Sequence, residues 1–299
     1  MNYRHIYHAG NFADVLKHAV LALVIEHLKL KPALFRVIDT HAGIGSYDLS
    51  SIQAQKTGEW RDGIGRLVDA DLPADVASIL ETYLAAVRRE NEGQGIVRYP
   101  GSPQIARSLL RAGDRLVANE LHPEDSLKLS SLFAGDPQTN VLSIDGWDAV
   151  KALLPPKERR GITLIDPPFE QPGEFARLAQ ALRDAHKRFA TGTVIAWYPI
   201  KDERSVAAFH AETESLDISK LLSVVLRVRA GDQMAGLSAT GLVISNPPFT
   251  LAPKLEILVP FLEKALGGGA GAVTQATRSH VAPSQVTWIK REQPVTQAR

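Results

Sequence analysis

Six consecutive residues, Leu164-Ile165-Asp166-Pro167-Pro168-Phe169, have the types that chemistry on an aromatic amine needs. The run Gly161-Ile162-Thr163-Leu164-Ile165 predicts a buried strand. Two prolines then stop it, because proline cannot donate to a sheet ladder. A carboxylate is thereby left at the carboxyl end of a strand, where open α/β sheets hold their ligands. Asp166 and the rigid Pro167 carbonyl can accept both hydrogens of an exocyclic amine and re-aim a lone pair otherwise delocalised into the ring. Phe169 adds a face for stacking on the base. A lone Asp-Pro-Pro also serves as an ordinary turn, and its neighbours in the fold decide between the two.

Those neighbours have a regular layout. Residues 35–41 predict a first strand running into Ala42-Gly43-Ile44-Gly45, the glycine turn of a nucleotide-binding unit, where small residues let backbone approach a ligand. The third position after Gly45 is Asp48, so the full Gly-x-Gly-x-x-Gly dinucleotide pattern is missing, which argues against hydride transfer. Asp39, ending this strand, suits a cationic cofactor such as S-adenosylmethionine. Residues 115–120 predict a second strand ending in Glu120, placed to accept both ribose hydroxyls. Residues 141–146 predict a third, with Asp145 facing an adenine ring. Four strands ending in acids, with Asp166 on the fourth, form one edge. Residues 193–199 predict a fifth strand, whose Trp197-Tyr198 end either lines a base pocket or packs in the core. Residues 221–228 and 241–245, with no long helix between them, predict an antiparallel edge hairpin. The expected fold is α/β: a Rossmann-like, mostly parallel seven-stranded sheet with an antiparallel edge hairpin and a helical insertion, as in S-adenosylmethionine-dependent methyltransferases.

The segments around this sheet are less regular. Met1 to Gly10 is rich in aromatic, cationic and imidazole groups, including Tyr3, Arg4 and His5, which could stack on bases and contact phosphates or could form a solvated end. Asn11 is a good N-cap for an apolar helix ending near Pro32. Asp14, Lys17 and His18 share one face of it, either as a surface ion pair or as two cationic groups facing a ligand. The expected division is an arm, helix and first strand over 1–46, a helical insertion over 47–100, the remaining sheet over 101–290 and a disordered tail over 291–299. The insertion either faces substrate or is a structural extra. Asn246-Pro247-Pro248-Phe249 imitates the first tetrapeptide but follows the antiparallel edge, and is read as structural.

Bulk properties exclude little. Net charge of +1 in 299 residues means that a nucleic-acid partner would need a local basic patch. The absence of cysteine removes disulfides and thiolate metal sites and fits a cytoplasmic protein, and no metal is expected. No apolar run suits a membrane span.

The whole pattern resembles the RlmJ family of 23S rRNA adenine-N6 methyltransferases. The matching residues are Tyr3-Arg4-His5, His8-Ala9-Gly10-Asn11, Ala13 to His18, Asp39 to Gly43, Tyr99 to Pro103, Glu120 to Pro123, Asp145-Gly146, Ile165 to Pro168, Trp197 to Pro199 and Asn246 to Pro248. The resemblance implies S-adenosylmethionine contacts from His18, His41, Ser102, Glu120, Asp145 and Gly146. It also implies a catalytic Asp166, an RNA contact from Tyr3 and a target adenine at position 2030. Lys17, next to His18, joins them as a candidate for the substrate site. The implied partner is 23S rRNA before full subunit assembly, with the enzyme a monomer. The tetrapeptide departs from the usual pattern in ending with Phe169 instead of tyrosine. Two rivals use the same residues: a DNA adenine-N6 methyltransferase and an RNA-binding protein that has lost catalysis.

Overall fold

The computed structural model describes residues 4–92, 95–228, 237–267 and 283–291. A short 3-10 turn (His5–Tyr7) leads into α1 (Phe12–Lys29) and β1 (Arg36–Asp39). An excursion follows, made of β2 (Ser46–Asp48), α2 (Ile52–Thr57), α3 (Glu59–Asp62), α4 (Ile64–Val68), α5 (Ala74–Arg89) and β3 (Arg98–Pro100). The chain then alternates through α6 (Ser102–Leu109), β4 (Arg115–Asn119), α7 (Pro123–Leu132), β5 (Thr139–Leu142), α8 (Gly146–Leu153) and β6 (Gly161–Ile165). It ends with α9 (Glu174–Arg188), β7 (Thr193–Pro199), α10 (Glu203–Ser215), β8 (Leu221–Arg227), β9 (Ala239–Ser245), α11 (Leu251–Leu266) and β10 (Gln285–Lys290).

The main sheet has the order β10-β8-β9-β7-β6-β1-β4-β5. β5, β4, β1, β6 and β7 run parallel, and β9 pairs antiparallel with both β7 and β8. This is the expected Rossmann-like arrangement with an antiparallel hairpin, with one strand more than the seven predicted. β10 adds antiparallel to β8, so the hairpin is covered on its outer side. Its sequence partner lies some sixty positions away, and no local periodicity reports such a pairing. The chain leaves β1 toward β4 and β5, then returns to β6 on the other side. The crevice at the carboxyl ends of β1 and β6 is therefore the topological switch point.

Local physics explains the central elements. All five residues of β6 are buried, as a strand covered on both faces requires. α1 is buried without interruption from Phe12 to Ile25, the property of a helix packed on every side. Its start is fixed as the sequence predicts, with Asn11 Oδ1 accepting from the Ala13 and Asp14 N–H groups at 3.0 Å each. α5 packs on α1, α6 and α11, and its Leu80, Tyr83 and Leu84 belong to the same core as Val15 and Leu16. β2 and β3 pair antiparallel, with Tyr47 opposite Tyr99, and so clamp the two ends of the excursion together. The third predicted strand starts earlier and ends earlier than expected, at Leu142, which leaves Asp145 in the loop that caps α8. Among the described residues no helix is long and apolar enough to cross a membrane. Tyr3, most of the glycine run at 267–271 and the tail after 291 lie outside the described residues.

Candidate active site

Loops at the carboxyl edge of the parallel strands enclose a cavity at the switch point. His5, Lys17, His18, His41, Gly43 and Ser102 line it, together with Glu120, Asp145, Gly146 and Asp166. Ten of the sequence-predicted residues thus converge on one space from seven parts of the chain. Asn119, which the sequence reading missed, ties the loops together. Its Nδ2 donates to Thr40 O at 3.0 Å and Ile144 O at 2.9 Å, while its Oδ1 accepts from Ile144 N–H. A buried asparagine ending a parallel strand was the available signal.

Asp166 projects just beyond β6, and its Oδ2 accepts from Lys17 Nζ, 149 residues away in sequence. Lys17 also binds Asp14 Oδ1 at 2.8 Å, and both side chains are almost wholly buried. Neither of the two sequence readings of this trio survives intact. Asp14 and Lys17 do pair, but in the interior, and His18 is not cationic. Burial pushes the His18 imidazole down to about 3, and its Nδ1 meets the Tyr99 hydroxyl at 2.7 Å. Burial disfavours the charged form of Lys17 as well, but the carboxylates of Asp14 and Asp166 more than offset it and hold the ammonium charged. Burial alone would raise the Asp14 carboxyl; His5 and Lys17 beside it hold it well below the usual range. His5 Nε2 lies 2.9 Å from Asp14 Oδ2, completing a chain from the N-terminal arm to Asp166. Arg4 is ion-paired with Glu124 and Asp125 of α7, at 2.9 and 3.2 Å.

On the other wall, Glu120 accepts from Gly43 N–H and His122 N–H, both at 2.8 Å, one on each oxygen. Burial nevertheless raises its pKa. Gly43 has φ +61°, and a Cβ there would lie 2.1 Å from the Tyr47 hydroxyl, so only glycine fits this turn. Asp145 caps α8 through Oδ1, which accepts from Trp147 N–H at 2.7 Å. A Cβ on Gly146 would come within 2.3 Å of His41 Nε2 and 2.8 Å of Thr40 O. Burial takes the His41 imidazole down to about 4.

Arg4 and three more of the predicted residues do not line the cavity. Asp39 lies beneath it, 1 % exposed, with Oδ1 accepting from His41 N–H at 3.3 Å and Oδ2 without a partner. Burial raises its carboxyl to about 7, and Ser102 and the His41 N–H offset only part of the effect. Pro167 is buried, and Pro168 takes the lining position instead. Phe169 has φ +50°, an unusual conformation for a bulky residue, and its ring packs edge-on against Phe175 at 5.0 Å and Trp197 at 5.8 Å. Lys17 Nζ lies 5.8 Å from the Trp197 ring. Trp197 is therefore beside the Lys17–Asp166 pair, while Tyr198 is wholly buried against Phe209 and His210.

The chain matches over residues 32–278 the family model described as Ribosomal RNA large subunit methyltransferase D, RlmJ. It is 44% identical to the Haemophilus influenzae protein named Ribosomal RNA large subunit methyltransferase J, over 89% of this chain and 94% of that one. Identity to the Escherichia coli protein of the same name is 41%, over 92% and 97% of the two chains. A crystal structure of a Legionella pneumophila protein, 31% identical, shares the fold with a TM-score of 0.79 and covers 88% of this chain and 96% of its own. A Rossmann-like sheet with a ring of acids at its switch point, matched across most of its length by these relatives, places the chain in the RlmJ family of large-subunit ribosomal RNA methyltransferases.

Proposed function

We propose that the chain methylates the exocyclic N6 of one adenine of 23S rRNA, at the position corresponding to 2030, using S-adenosylmethionine. The observation that carries this reading is Asp166 at the carboxyl end of β6, held by the buried Lys17 beside a cavity lined with acids. The cavity's residues fit that cofactor. Asp39 has a buried oxygen without a partner beneath it, which suits a cationic ligand. Glu120 would hold ribose hydroxyls with its remaining lone pairs, and Asp145 and Gly146 would flank the adenine. S-adenosylmethionine, when bound, supplies an electrophilic methyl group on a sulfonium.

The chain's own residues prepare the nucleophile. Lys17 engages Asp166 Oδ2 and leaves Oδ1 for one N–H of the target amine, and the carbonyl of Pro167, a residue buried behind the cavity lining, would take the other once the base is seated. Both acceptors pull the nitrogen toward a tetrahedral geometry in which its lone pair is available. Once the amine nitrogen carries the methyl group, it would release one proton to water through Asp166. The base would stack on the half-buried Phe169 ring, which lies outside the cavity lining beside Trp197 and has no hydroxyl. Stacking on such a surface is worth about 1–3 kcal/mol per base.

The test uses S-adenosylmethionine labelled on its methyl group and protein-free 23S rRNA lacking the modification, with DNA as a control. Wild type should label one RNA adenine. Asp166→Ala should lose on the order of 100-fold or more in rate while still binding the cofactor. Glu120→Gln should lose cofactor affinity first. Label on DNA, or cofactor binding without transfer to either polymer, would replace the proposal with one of its two rivals.

A further inference from the structure

The second tetrapeptide, Asn246-Pro247-Pro248-Phe249, has no part in the cavity. Its backbone is firmly mounted: Asn246 has φ +47°, its Nδ2 donates to Thr191 O at 2.7 Å, and its N–H donates to Lys220 O at 3.0 Å. Pro248 O accepts from Leu251 N–H at 2.9 Å. This mounting holds the Phe249 ring 81 % exposed, with one edge against His27 at 5.5 Å.

The surroundings are basic. Burial and then the positive charges of Arg160, Lys31 and Lys254 disfavour protonation of His27, which places all three cations close to it. None of the three forms an ion pair with a described residue. Arg160 instead caps the carbonyls of Leu28 and Ala33 with its guanidinium. The patch lies where β9 ends opposite the start of β7, at Ser245 and Val194, and so on the amino edge of the sheet. Asp166 is on the carboxyl edge; the five residues of β6 alone separate the edges by about 16 Å.

The catalytic edge is poorly suited to a polyanion. Six carboxylates line the cavity (Glu120, Asp125, Asp145, Asp166, Glu170 and Glu174) against the cations Lys17 and Arg177, and Lys17 is already committed to two acids. Phosphates are better held elsewhere. Building on the reading that RNA is the substrate, we propose that the amino-edge patch is a second RNA-binding site. Phe249 stacks on an unpaired base, and Lys31, Lys254 and Arg160 pair with the adjoining phosphates of the same molecule whose adenine occupies the catalytic edge. An exposed ring flanked by unpaired cations is the composition that single-stranded nucleic acid selects.

The experiment compares wild type, Phe249→Ala and Lys31→Glu/Lys254→Glu on two RNAs. One is a short stem-loop around the target adenine, and the other a 23S rRNA fragment long enough to reach the amino edge. For the long fragment, Phe249→Ala should raise Kd by at least about 5-fold. The double charge reversal should flatten the dependence of log Kd on log salt by about 1 per lysine. Methylation of the short stem-loop should be unchanged in both. Wild-type affinity of the variants for the long fragment would overturn the proposal, and so would an equal loss on both RNAs. Sedimentation showing a wild-type dimer that Phe249→Ala dissolves would assign the patch to self-association instead. If wild type transfers methyl to neither RNA, the functional reading fails, while the long-fragment Kd values still decide the second site.

Discussion

Asp39→Asn separates the part of the site kept for ligand binding from the part that stabilises the fold. In wild type the buried carboxyl has a pKa of about 7, against 3.8 for an ordinary aspartate. The folded state therefore holds the Asp39 proton more tightly than the unfolded chain does. Stability from this residue is highest below about pH 4, falls as pH rises to about 7, and is level beyond. A shift of roughly 3 units amounts to about 4 kcal/mol across that window. Asparagine cannot ionise, so the variant escapes this loss. Its amide hydrogens, replacing the partnerless Oδ2, cost a fixed 1–3 kcal/mol, roughly, at every pH. The variant should be less stable than wild type at pH 4 and more stable at pH 8, the difference between them moving by about 4 kcal/mol. Urea unfolding followed by tryptophan fluorescence at a series of pH values measures that difference, and groups common to both proteins cancel. Parallel pH profiles for the two proteins would refute the reasoning, since Asp39 would then titrate normally in the folded state. Methyl-donor binding gives a second readout: wild-type affinity should rise through pH 7 as Asp39 ionises, and the variant should lose both the affinity and that rise.

Two further perturbations probe the same edge. Lys17→Met leaves Asp14 charged in the interior and should destabilise by about 3–5 kcal/mol, a fall in Tm of roughly 6–20 °C by calorimetry. Adding Asp14→Asn to it should recover much of that loss, and an additive double variant would show the two side chains to be uncoupled. Gly146→Ala drives a methyl group into His41 and the Thr40 carbonyl, and should cost about 1–3 kcal/mol in urea unfolding together with cofactor affinity measured by calorimetric titration.

The sequence by itself determined the fold class and most of the cavity wall. Parallel strands buried on both faces are continuous apolar runs, and the acid that ends each run is the carboxyl edge of the sheet. Glu120, Asp145 and Asp166 were therefore legible from position alone, as was Asn11 from its capping chemistry. Glycine is needed at positions 43 and 146 because side chains occupy the space a Cβ would take, and the sequence marks such positions directly.

Tertiary structure decided the contacts that have no sequence period. The Lys17–Asp166 pair joins α1 to β6 across 149 residues, and the burial that makes it strong comes from α1 packing on every side. The same burial turned His18 from an expected cation into a neutral partner of Tyr99. The pairing of β10 with β8 and of β2 with β3 set the sheet edge and the clamp on the excursion, because strand partners are chosen by topology and not by neighbours in the chain. A single left-handed backbone conformation turned Phe169 toward Trp197, and another held Phe249 out on the opposite edge. Residue type announced aromatic rings in two Pro-Pro-Phe segments; only the fold assigned them to opposite edges of one sheet.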